Sequence, residues 1–501
     1  MRINEVLLCS VYLAENKEQI QKAKHVELEN WMREAVYEEV PDQGQQTISV
    51  RWVITPKCVE GSWTTKARLV ARGFEESTNV RSDSPTCMKD SLRLLFTAAA
   101  SNDWQLNSID IKAAFLQGNP IERDLFLQPP REAKCDGMVW RLRKVVYGLS
   151  DASRVWYLRV LDEMSKLGAT TSKYDKAVFI WRVNNKVEGI LACHVDDFLW
   201  TGTWNFETKV TNPLKNVFKV SVESVDCFKY VGIQVNRADG FVDVGQSSYI
   251  ESLSLADLDQ TDVTDKSREL DPDEMKICRG IVGQLNWASN ISRPDMAYTA
   301  CELSTQQAKP KVEDLLRANK AMKELKQQNV VIRYSPLKLD KLKLVVFSDA
   351  SYGNLRNGGS QGGFIIFLSD GVLSVPISWS SCRLKRVARS TLCAETLAAV
   401  EALDSGYLIE KLCCELFCIS KINVEMYTDN KSLYDAIHTT NLMVDRRLRV
   451  DIASLREMFE KEEVSFHWLN SKHQIADVLT KKGASKKILI EALAQSKIHF
   501  D

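Results

Sequence analysis

Three aspartates lie in stretches of sequence that otherwise have the pattern of buried β-strands. Asp110 falls within the apolar segment SIDIKAAF, and the adjacent Asp196 and Asp197 separate the apolar runs ILACHV and FLW. Placing a carboxylate in such surroundings costs free energy unless it is paired or binds a cation. An Asp-Asp pair can also form an exposed hairpin tip, an interpretation that the apolar flanks weaken. The sequence therefore predicts that separated strands bring these acids to a cation.

The chemistry of carboxylates indicates which cation and which reaction to expect. Mg²⁺ prefers carboxylate oxygens together with substrate phosphate. Two such ions about 4 Å apart can activate a 3′ hydroxyl while they stabilise the leaving pyrophosphate. The aspartates therefore point to nucleotidyl transfer.

Length and composition indicate several globular domains. The 501 residues exceed one ordinary core, and 45% are apolar and 26% charged. Lys+Arg and Asp+Glu both number 66, so the zero net charge neither supports nor excludes a polyanionic partner. The thirteen cysteines include no CxxC pair, and neither a secretory signal nor an uncharged membrane-spanning run is found. We expect a protein of the cytoplasm or nucleus that is neither secreted nor membrane-bound.

Hydrophobic periodicity predicts alternating helices and strands along the chain. A helix is expected over 16–40, then strands in TISVRWVIT and TTKARLVARGF, a helix in RLLFTAAASN and a strand in QLNSIDIKAAF. KAVFIWRV and GILACHVDDFLWTG are expected to form a second strand pair around NNKVE, and residues 246–340 are rich in helical pattern. From 341 the predicted order is βββαβαβα, a compact mixed sheet.

Several short motifs along the chain occur in the same order as in a known protein family. The chain resembles the reverse transcriptase and ribonuclease H region of Ty1/copia-type retrotransposon Pol polyproteins in KARLVARGF, DIKAAFLQG, VYGLSDASRVWY, HVDDFLWTG, YVGIQV and SRPDMAY. The resemblance implies a mixed α/β multidomain fold: a right-hand polymerase of fingers, palm and thumb, a helical connection, and a ribonuclease H-like domain. The domains expected from it are a helical lead-in at 1–45, fingers and palm at 46–245, thumb or connection at 246–340, the ribonuclease H-like domain at 341–490, and a tail at 491–501.

The resemblance also implies roles for single residues of the polymerase centre. Asp110, Asp196 and Asp197 match catalytic metal ligands, and Ile111 would add its backbone carbonyl. Phe115 matches a gate that excludes a ribose 2′ hydroxyl, although it can equally be a core aromatic. Two basic residues of the fingers match those that hold the incoming triphosphate, a role that suits their charge: Lys66 and Arg68.

Two motifs depart from the family pattern. His194 stands where Tyr is common before Val-Asp-Asp, and Asp151-Ala152-Ser153-Arg154 stands where Gln-Ala-Pro-Arg is common. Neither change removes a metal ligand. Asp151 adds a negative charge near the expected nucleotide, and we expect Arg154 to offset it.

A second set of acids follows in the C-terminal third. Asp349 ends a strand, Glu395 lies in the helix STLCAETLAAV, Asp429 lies at the end of the strand segment VEMYTDN, and Asp477 lies near the start of the helical segment IADVLTK. Glu395 alone would be an ordinary solvated helix residue, but its neighbours are largely apolar. The order of the four acids, with RSTLCAET, YTDNKSLYDA and HQIADVLTK, is similar to the ribonuclease H of copia-type elements. The resemblance implies a two-metal hydrolase that cleaves the RNA strand of an RNA–DNA hybrid. Neither His467 nor His473 is assigned a role.

Basic residues cluster in sequence beside these acidic motifs. Each cluster can be a solvated face, but together they favour a track for a nucleic-acid duplex. Their members are Arg51, Lys57, Lys66, Arg68 and Arg72; Arg141, Arg143, Lys144, Arg154 and Arg159; Arg383, Lys385, Arg386 and Arg389; and Arg446, Arg447 and Arg449.

The leading hypothesis is an RNA- and DNA-directed DNA polymerase with ribonuclease H activity, using two Mg²⁺ or Mn²⁺ ions at each centre. Its expected partners are an RNA template, a DNA primer, an RNA–DNA hybrid, dNTPs, and other Pol products such as integrase, protease and capsid. Two alternatives stay open. One is a decayed or host-retained fragment that binds nucleic acid without catalysis, and the other is a protein with ribonuclease H activity alone.

Overall fold

The computed structural model describes residues 16–59, 62–77, 79–133, 135–257, 265–440, 443 and 445–500. Within these ranges the helices are α1 (Lys17–Arg33), α2 (Lys89–Ser101), α3 (Ala152–Lys166), α4 (Trp204–Phe206), α5 (Asn212–Val217), α6 (Ser247–Ser252), α7 (Pro272–Ile291), α8 (Ala297–Ser304), α9 (Val312–Gln327), α10 (Thr391–Phe417), α11 (Lys431–His438), α12 (Leu448–Glu460) and α13 (Lys487–Gln495). None of these helices is both long and apolar enough to cross a membrane.

The strands form five sheets. They are β1 (Tyr37–Pro41), β2 (Thr47–Ile48), β3 (Val50–Val59), β4 (Ser62–Ala71), β5 (Leu106–Ile111), β6 (Phe126–Leu127), β7 (Met138–Leu142), β8 (Thr170–Thr171), β9 (Val178–Val183), β10 (Lys186–His194), β11 (Asp197–Gly202), β12 (Val220–Val225), β13 (Cys227–Tyr230), β14 (Ile233–Ala238), β15 (Phe241–Gly245), β16 (Ile332–Tyr334), β17 (Lys343–Ser351), β18 (Gln361–Ser369), β19 (Ser374–Arg383), β20 (Asn423–Thr428) and β21 (Val464–Trp468). The strand orders are β1-β7-β6-β2, β12-β5-β11-β10-β9-β8, β13-β14-β15-β16, β19-β18-β17-β20-β21 and β3-β4.

The N-terminal helix is shorter than the sequence pattern suggests. We predicted a helix over 16–40, but α1 ends at Arg33 and the chain then forms β1, which pairs antiparallel with β7. The β-rich run YEEV and the partner strand override the helical spacing here. Residues 1–15 of the predicted lead-in lie outside the described residues, and β1 joins that lead-in to a sheet of the next predicted domain.

The segment GILACHVDDFLWTG is a hairpin and not a single strand. Strand β10 ends at His194, β11 begins at Asp197, and the two pair antiparallel with His194 opposite Asp197. The prediction of one strand was wrong because both arms are apolar, so hydrophobicity alone does not reveal the turn. The hairpin-tip interpretation of the Asp-Asp pair therefore describes the backbone correctly.

The C-terminal part contains one helix more than predicted. The observed order is β17, β18, β19, α10, β20, α11, α12, β21 and α13. Helix α11 begins after Asn430, whose side chain accepts a hydrogen bond from Leu433 N at 2.9 Å, the usual N-cap contact. The segment IADVLTK forms a short 3₁₀ helix over Ile475–Leu479. Strand β20 pairs in parallel with both β17 and β21, while β18 and β19 complete an antiparallel meander.

One continuous apolar core connects the six-stranded sheet, the sheet β13–β16 and the C-terminal sheet. It includes residues of α2 such as Leu95, of β16 such as Tyr334, and of β17 such as Phe347. Arg93 of α2 crosses this core with only 6% of its surface exposed. Its guanidinium lies 3.5 Å from the Trp379 ring centroid of β19. It also donates hydrogen bonds to the carbonyls of Ile377 and Asn290, so a single side chain joins α2, α7 and β19.

We expect Arg93→Ala to weaken the packing of the C-terminal unit on α2 by about 3 kcal/mol, because it removes charged hydrogen bonds and a desolvated cation–π contact. Scanning calorimetry should then show unfolding at a lower temperature, with the transition broadened or split. Arg131→Ala, at an exposed arginine, is the control. Wild-type unfolding in Arg93→Ala would show that this side chain does not join the units.

Candidate active sites

The first acidic site is built on the hairpin between β10 and β11. Val195 has φ +59°, a conformation that a β-branched residue rarely adopts. The Trp156 indole N–H of α3 donates to the Val195 carbonyl at 2.7 Å, and the Ile111 amide donates to the Asp196 carbonyl at 2.9 Å. These two bonds hold the strained turn against α3 and β5. The turn therefore presents Asp196 and Asp197 at the end of the sheet.

Asp110 lies on the neighbouring strand at the same level. In the antiparallel pairing of β5 with β11, Asp110 is directly opposite Asp197. The Ser221 hydroxyl of β12, on the other side of β5, donates to the Asp110 carboxylate. Beneath the acids, Phe198, Leu199 and Trp200 are fully buried. The sheet thus places all three predicted aspartates at one edge above an apolar base.

Burial and mutual repulsion change how these acids ionise. Burial, followed by the charges of Asp196 and Asp110, raises the pKa of Asp197 to about 6. Burial also raises the pKa of Asp196, while the charges of Arg68 and Lys66 act against the rise. Burial lowers the pKa of the neighbouring His194. Half-buried like charges of this kind are stabilised by a bound cation.

The second acidic site is tighter. Asp349, Glu395 and Asp429 place carboxylate oxygens within 4.8 Å of one another, and within the described ranges no other group of three His, Cys or acidic residues does so. The three carboxylates come from β17, from α10 and from the end of β20. Asp110, Asp196 and Asp197 do not form such a group, so the structure assembles a three-carboxylate ligand set only at the second site among the described residues.

A glycine on β18 allows the last predicted acid to approach. Gly363 is opposite Asp349 in the β17–β18 pairing. A Cβ atom there would lie 2.7 Å from the Leu479 Cβ, which is closer than real contacts allow. Because position 363 is glycine, the 3₁₀ turn that carries Asp477 can pack against the strand. The Thr480 hydroxyl, just after this turn, donates to the Asp349 carboxylate.

Asp477 is connected to the carboxylate cluster by Lys481, which contacts both Asp477 and Asp349. Lys481 Nζ lies 2.7 Å from an Asp477 carboxylate oxygen and 3.2 Å from one of Asp349. Burial lowers the pKa of Lys481, but the two carboxylates outweigh it and the net shift is upward. Its ammonium is therefore a fixed positive charge between the two acids. Lys481 was not singled out from the sequence, although its place four residues after Asp477 was the available signal.

Glu395 is the least compensated acid of the cluster. Its side chain is only 4% exposed, and its Oε2 atom has no hydrogen-bond partner. Burial, followed by the charges of Asp349 and Asp429, raises its pKa well above the ordinary value. A buried carboxylate oxygen without a donor is a suitable ligand for a hard divalent cation. The residues present therefore fit the metal that the resemblance implies.

Known proteins resemble this chain over most of its length. Residues 35–270 match the family described as "Reverse transcriptase (RNA-dependent DNA polymerase)". The chain is 27% identical over 462 residues to the Retrovirus-related Pol polyprotein from transposon RE1 of Arabidopsis thaliana, covering 87% of this chain and 30% of the relative. It is 26% identical to that from transposon TNT 1-94 of Nicotiana tabacum, covering 93% and 37%. These matches support the resemblance of the chain to copia-type Pol polyproteins.

Two solved structures share the fold. The first is a foamy viral protease-reverse transcriptase in complex with double-stranded DNA, with TM-score 0.56 and 13% identity; the match covers 87% of this chain and 67% of that one. The second is a foamy viral protease-reverse transcriptase in complex with an RNA/DNA hybrid, with TM-score 0.54 and 12% identity; the match covers 92% of this chain and 55% of that one. The chain therefore has the predicted mixed α/β multidomain fold, which it shares with these two proteins. The chain spans about a third of the length of the curated plant relatives.

The two basic residues predicted to hold the triphosphate lie close enough to Asp196 for their charges to act on it. Lys66 and Arg68 lie on β4, opposite Thr55 and Val53 of β3. Their positive charges lower the pKa of Asp196 in the balance described above. The two bases and the acidic turn therefore form one electrostatic site.

Phe115 lies in a 3₁₀ turn, Ala114–Gln117, directly after the Asp110 strand. Its half-buried ring packs against Tyr147, with 5.0 Å between ring centroids. Burial, followed by the charges of Glu27, Asp196 and Asp110, raises the pKa of Tyr147 to about 12, while the charge of Arg68 acts against the rise. Tyr147 thus lies beside the candidate site, and the sequence analysis did not single it out because nothing local distinguishes it from a core aromatic.

The charge of Asp151 is compensated by a different residue than expected. Arg123 donates to both Asp151 oxygens, at 2.6 and 3.1 Å, and also to both oxygens of Glu76. Arg154 instead donates to Asp83 at 2.9 Å. The prediction that Arg154 offsets Asp151 was wrong because the partner lies 28 positions earlier, beyond the reach of local pattern. Asp151 is 6% exposed, so its predicted contact with a nucleotide would require this pair to open.

Many residues of the predicted basic track have acidic partners. Arg141 and Arg143 contact Glu38, Arg159 contacts Glu163, and Arg386 contacts Asp451. Such pairs agree with the solvated-face interpretation and leave less charge for phosphate. The Lys57 side chain lies outside the described residues. Of the two unassigned histidines, His467 stacks on Tyr427 with 4.9 Å between centroids, a packing contact.

We expect Glu395→Gln to stabilise the metal-free protein at neutral pH by on the order of 1 kcal/mol, because the amide avoids the cost of ionising a buried carboxyl. Since the folded-state pKa is raised, the wild-type protein should lose stability as pH rises from about 5 to 8, and the variant should lose less. Thermal unfolding over this range, with and without Mn²⁺, measures both effects.

The exposed Asp404 of the same helix supplies the control variant Asp404→Asn. Mn²⁺ should raise the unfolding temperature of this control and of the wild type more than that of Glu395→Gln. Equal Mn²⁺ stabilisation in all three proteins would contradict a metal site at Glu395.

Proposed function

We propose that this chain is an RNA- and DNA-directed DNA polymerase that also cleaves the RNA of RNA–DNA hybrids, using Mg²⁺ or Mn²⁺ at two centres. The observation that carries the proposal is the placement of Asp110 opposite Asp197, beside the Asp196 turn, within the region that matches reverse transcriptases. Template RNA, primer DNA and dNTPs would be its substrates. Protease, integrase and capsid products of the same element are proposed partners, and the cytoplasm or nucleus the proposed location.

At the polymerase centre each residue has a defined task. Asp110, Asp196 and Asp197, with the Ile111 carbonyl, would hold two divalent ions, which supply activation of the primer 3′ hydroxyl and charge compensation for pyrophosphate. Lys66 and Arg68 bind the triphosphate oxygens from the fingers side. The Phe115–Tyr147 pair forms an aromatic wall beside the acids, the position required to test the sugar of the incoming nucleotide.

At the hydrolytic centre Asp349, Glu395, Asp429 and Asp477 would hold the ions, which supply an activated water and stabilisation of the leaving 3′ oxygen. The orphaned Glu395 Oε2 supports this assignment. Lys481 holds Asp477 and Asp349 at a fixed separation and reduces the repulsion between them. Hydrogen bonds and charges of the chain thus position the acids before substrate arrives.

A second candidate function is ribonuclease H activity alone. The observation that favours it is that only the second acidic group gathers three carboxylates within 4.8 Å among the described residues. The polymerase acids lie in register but less tightly together. The two following experiments separate the candidates.

Primer extension on a homopolymer template with Mg²⁺ should proceed with the wild-type chain. The double variant Asp196→Asn and Asp197→Asn should lower the rate at least about a thousandfold, since metal-assisted charge stabilisation is lost. The isosteric amides preserve the turn, so folding should be unchanged by circular dichroism. Extension that survives the double change rules out this polymerase centre.

Asp429→Asn should abolish cleavage of an RNA–DNA hybrid and leave primer extension within about twofold, because the two acidic groups lie on separate sheets. Asp435→Asn, an exposed aspartate on α11, is the matched control. Equal loss of both activities in Asp429→Asn would argue against two separate centres. Hybrid cleavage without any extension by the wild type would select the second candidate.

A further inference from the structure

The hairpin that carries Lys66 and Arg68 depends on a helix for its position. Strands β3 and β4 form a two-stranded sheet that no other described strand extends. An isolated two-stranded hairpin is only marginally stable in water. Ala67, Leu69 and Ala71 of β4 are nevertheless buried, and Leu69 belongs to the same apolar cluster as Leu28 and Trp31 of α1. Helix α1 is therefore the support on which the hairpin rests.

One polar side chain of α1 contacts the backbone of that hairpin. The Glu27 carboxylate accepts a hydrogen bond from the Leu69 amide at 3.3 Å and another from the Trp31 indole at 3.4 Å. Because β4 is an edge strand, its outward amides lack a strand partner, and Glu27 satisfies one of them. Trp31, which donates the second of these bonds, is fully buried and so holds the Glu27 carboxylate in place. Leu69, whose amide Glu27 binds, directly follows Arg68 in the chain.

The charge of Arg68 acts on both Glu27 of α1 and Asp196 of the acidic turn. Its guanidinium is half-buried and forms neither a hydrogen bond nor an ion pair with any described residue. Burial raises the pKa of the Glu27 carboxyl, while its two hydrogen bonds and the charges of Lys66 and Arg68 lower it. The same two bases lower the pKa of Asp196 on the palm. Arg68 is thus held near both Glu27 and the palm acids, with donors available to an anion.

We propose that Glu27 is a positioning residue of the nucleotide site: by anchoring the β4 backbone beside Arg68, it sets the affinity for the triphosphate of the incoming dNTP. This inference rests on the proposed polymerase function. Glu27 touches neither substrate nor metal, so it acts through the hairpin. Its loss should therefore raise KM for dNTP and leave the chemical step, which depends on the palm acids, largely unchanged.

Three variants test the role of the carboxylate. Glu27→Ala removes both hydrogen bonds and should raise KM for dNTP about tenfold, with kcat within about twofold. Glu27→Gln keeps an acceptor oxygen without the charge and should restore KM to within about threefold of wild type. Glu29→Gln, at an exposed glutamate of the same helix, should change neither parameter. Steady-state primer extension with Mg²⁺ and varied dTTP on a poly(rA) template measures all of them.

Hydrogen–deuterium exchange of residues 62–71 gives a readout that does not depend on activity. Glu27→Ala should accelerate exchange in this strand while the core of the palm keeps its protection. An unchanged KM in Glu27→Ala, an equal KM rise in Glu27→Gln, or unchanged exchange overturns the inference. A wild-type chain that extends no primer overturns the proposed polymerase function instead, and the exchange of residues 62–71 then still decides whether Glu27 anchors the hairpin.

Discussion

The burial of carboxylates at the ends of apolar strands governs how this chain is organised. Asp110 and Asp197 meet across two strands, and Asp349, Glu395 and Asp429 converge from two strands and a helix. Such charges repel one another and are poorly solvated, so the fold must supply compensation. At the second site the Lys481 ammonium compensates part of the negative charge. The negative charge that remains makes the cluster suitable for divalent cations. Repulsion and poor solvation destabilise these carboxylates, and for the same reason the carboxylates bind divalent cations well.

The two sites are held by one continuous core. Arg93 is buried where α2, α7 and β19 meet, and its stacking on Trp379 links helix α2 to the C-terminal sheet. Glu415, near the end of α10, accepts hydrogen bonds from Ser172 and Lys173, which lie between β8 and β9. These contacts join the C-terminal unit to the six-stranded sheet at separate points. A duplex bound across both units would therefore meet the two acidic centres at a fixed separation.

Local pattern predicted most of the elements and both sets of acids, because strand-end aspartates with apolar flanks are visible within about ten residues. Sequence could not predict contacts formed across long separations. The Arg123–Asp151 pair, the Phe115–Tyr147 wall and the Glu27–Leu69 contact each depend on tertiary packing. The single-strand prediction for GILACHVDDFLWTG was wrong for a related reason: the turn at Val195 is stabilised by Trp156, which lies 39 positions away.

We propose that the two acidic centres, which share one core, act on the same duplex. This proposal is tested most directly by mapping RNA cleavage on hybrids whose DNA primers end at different positions on one RNA sequence, without dNTPs. If the core fixes the separation, the main cleavage position should move in step with the primer 3′ end. Cleavage that stays at the same RNA positions for every primer would contradict a fixed arrangement of the two centres.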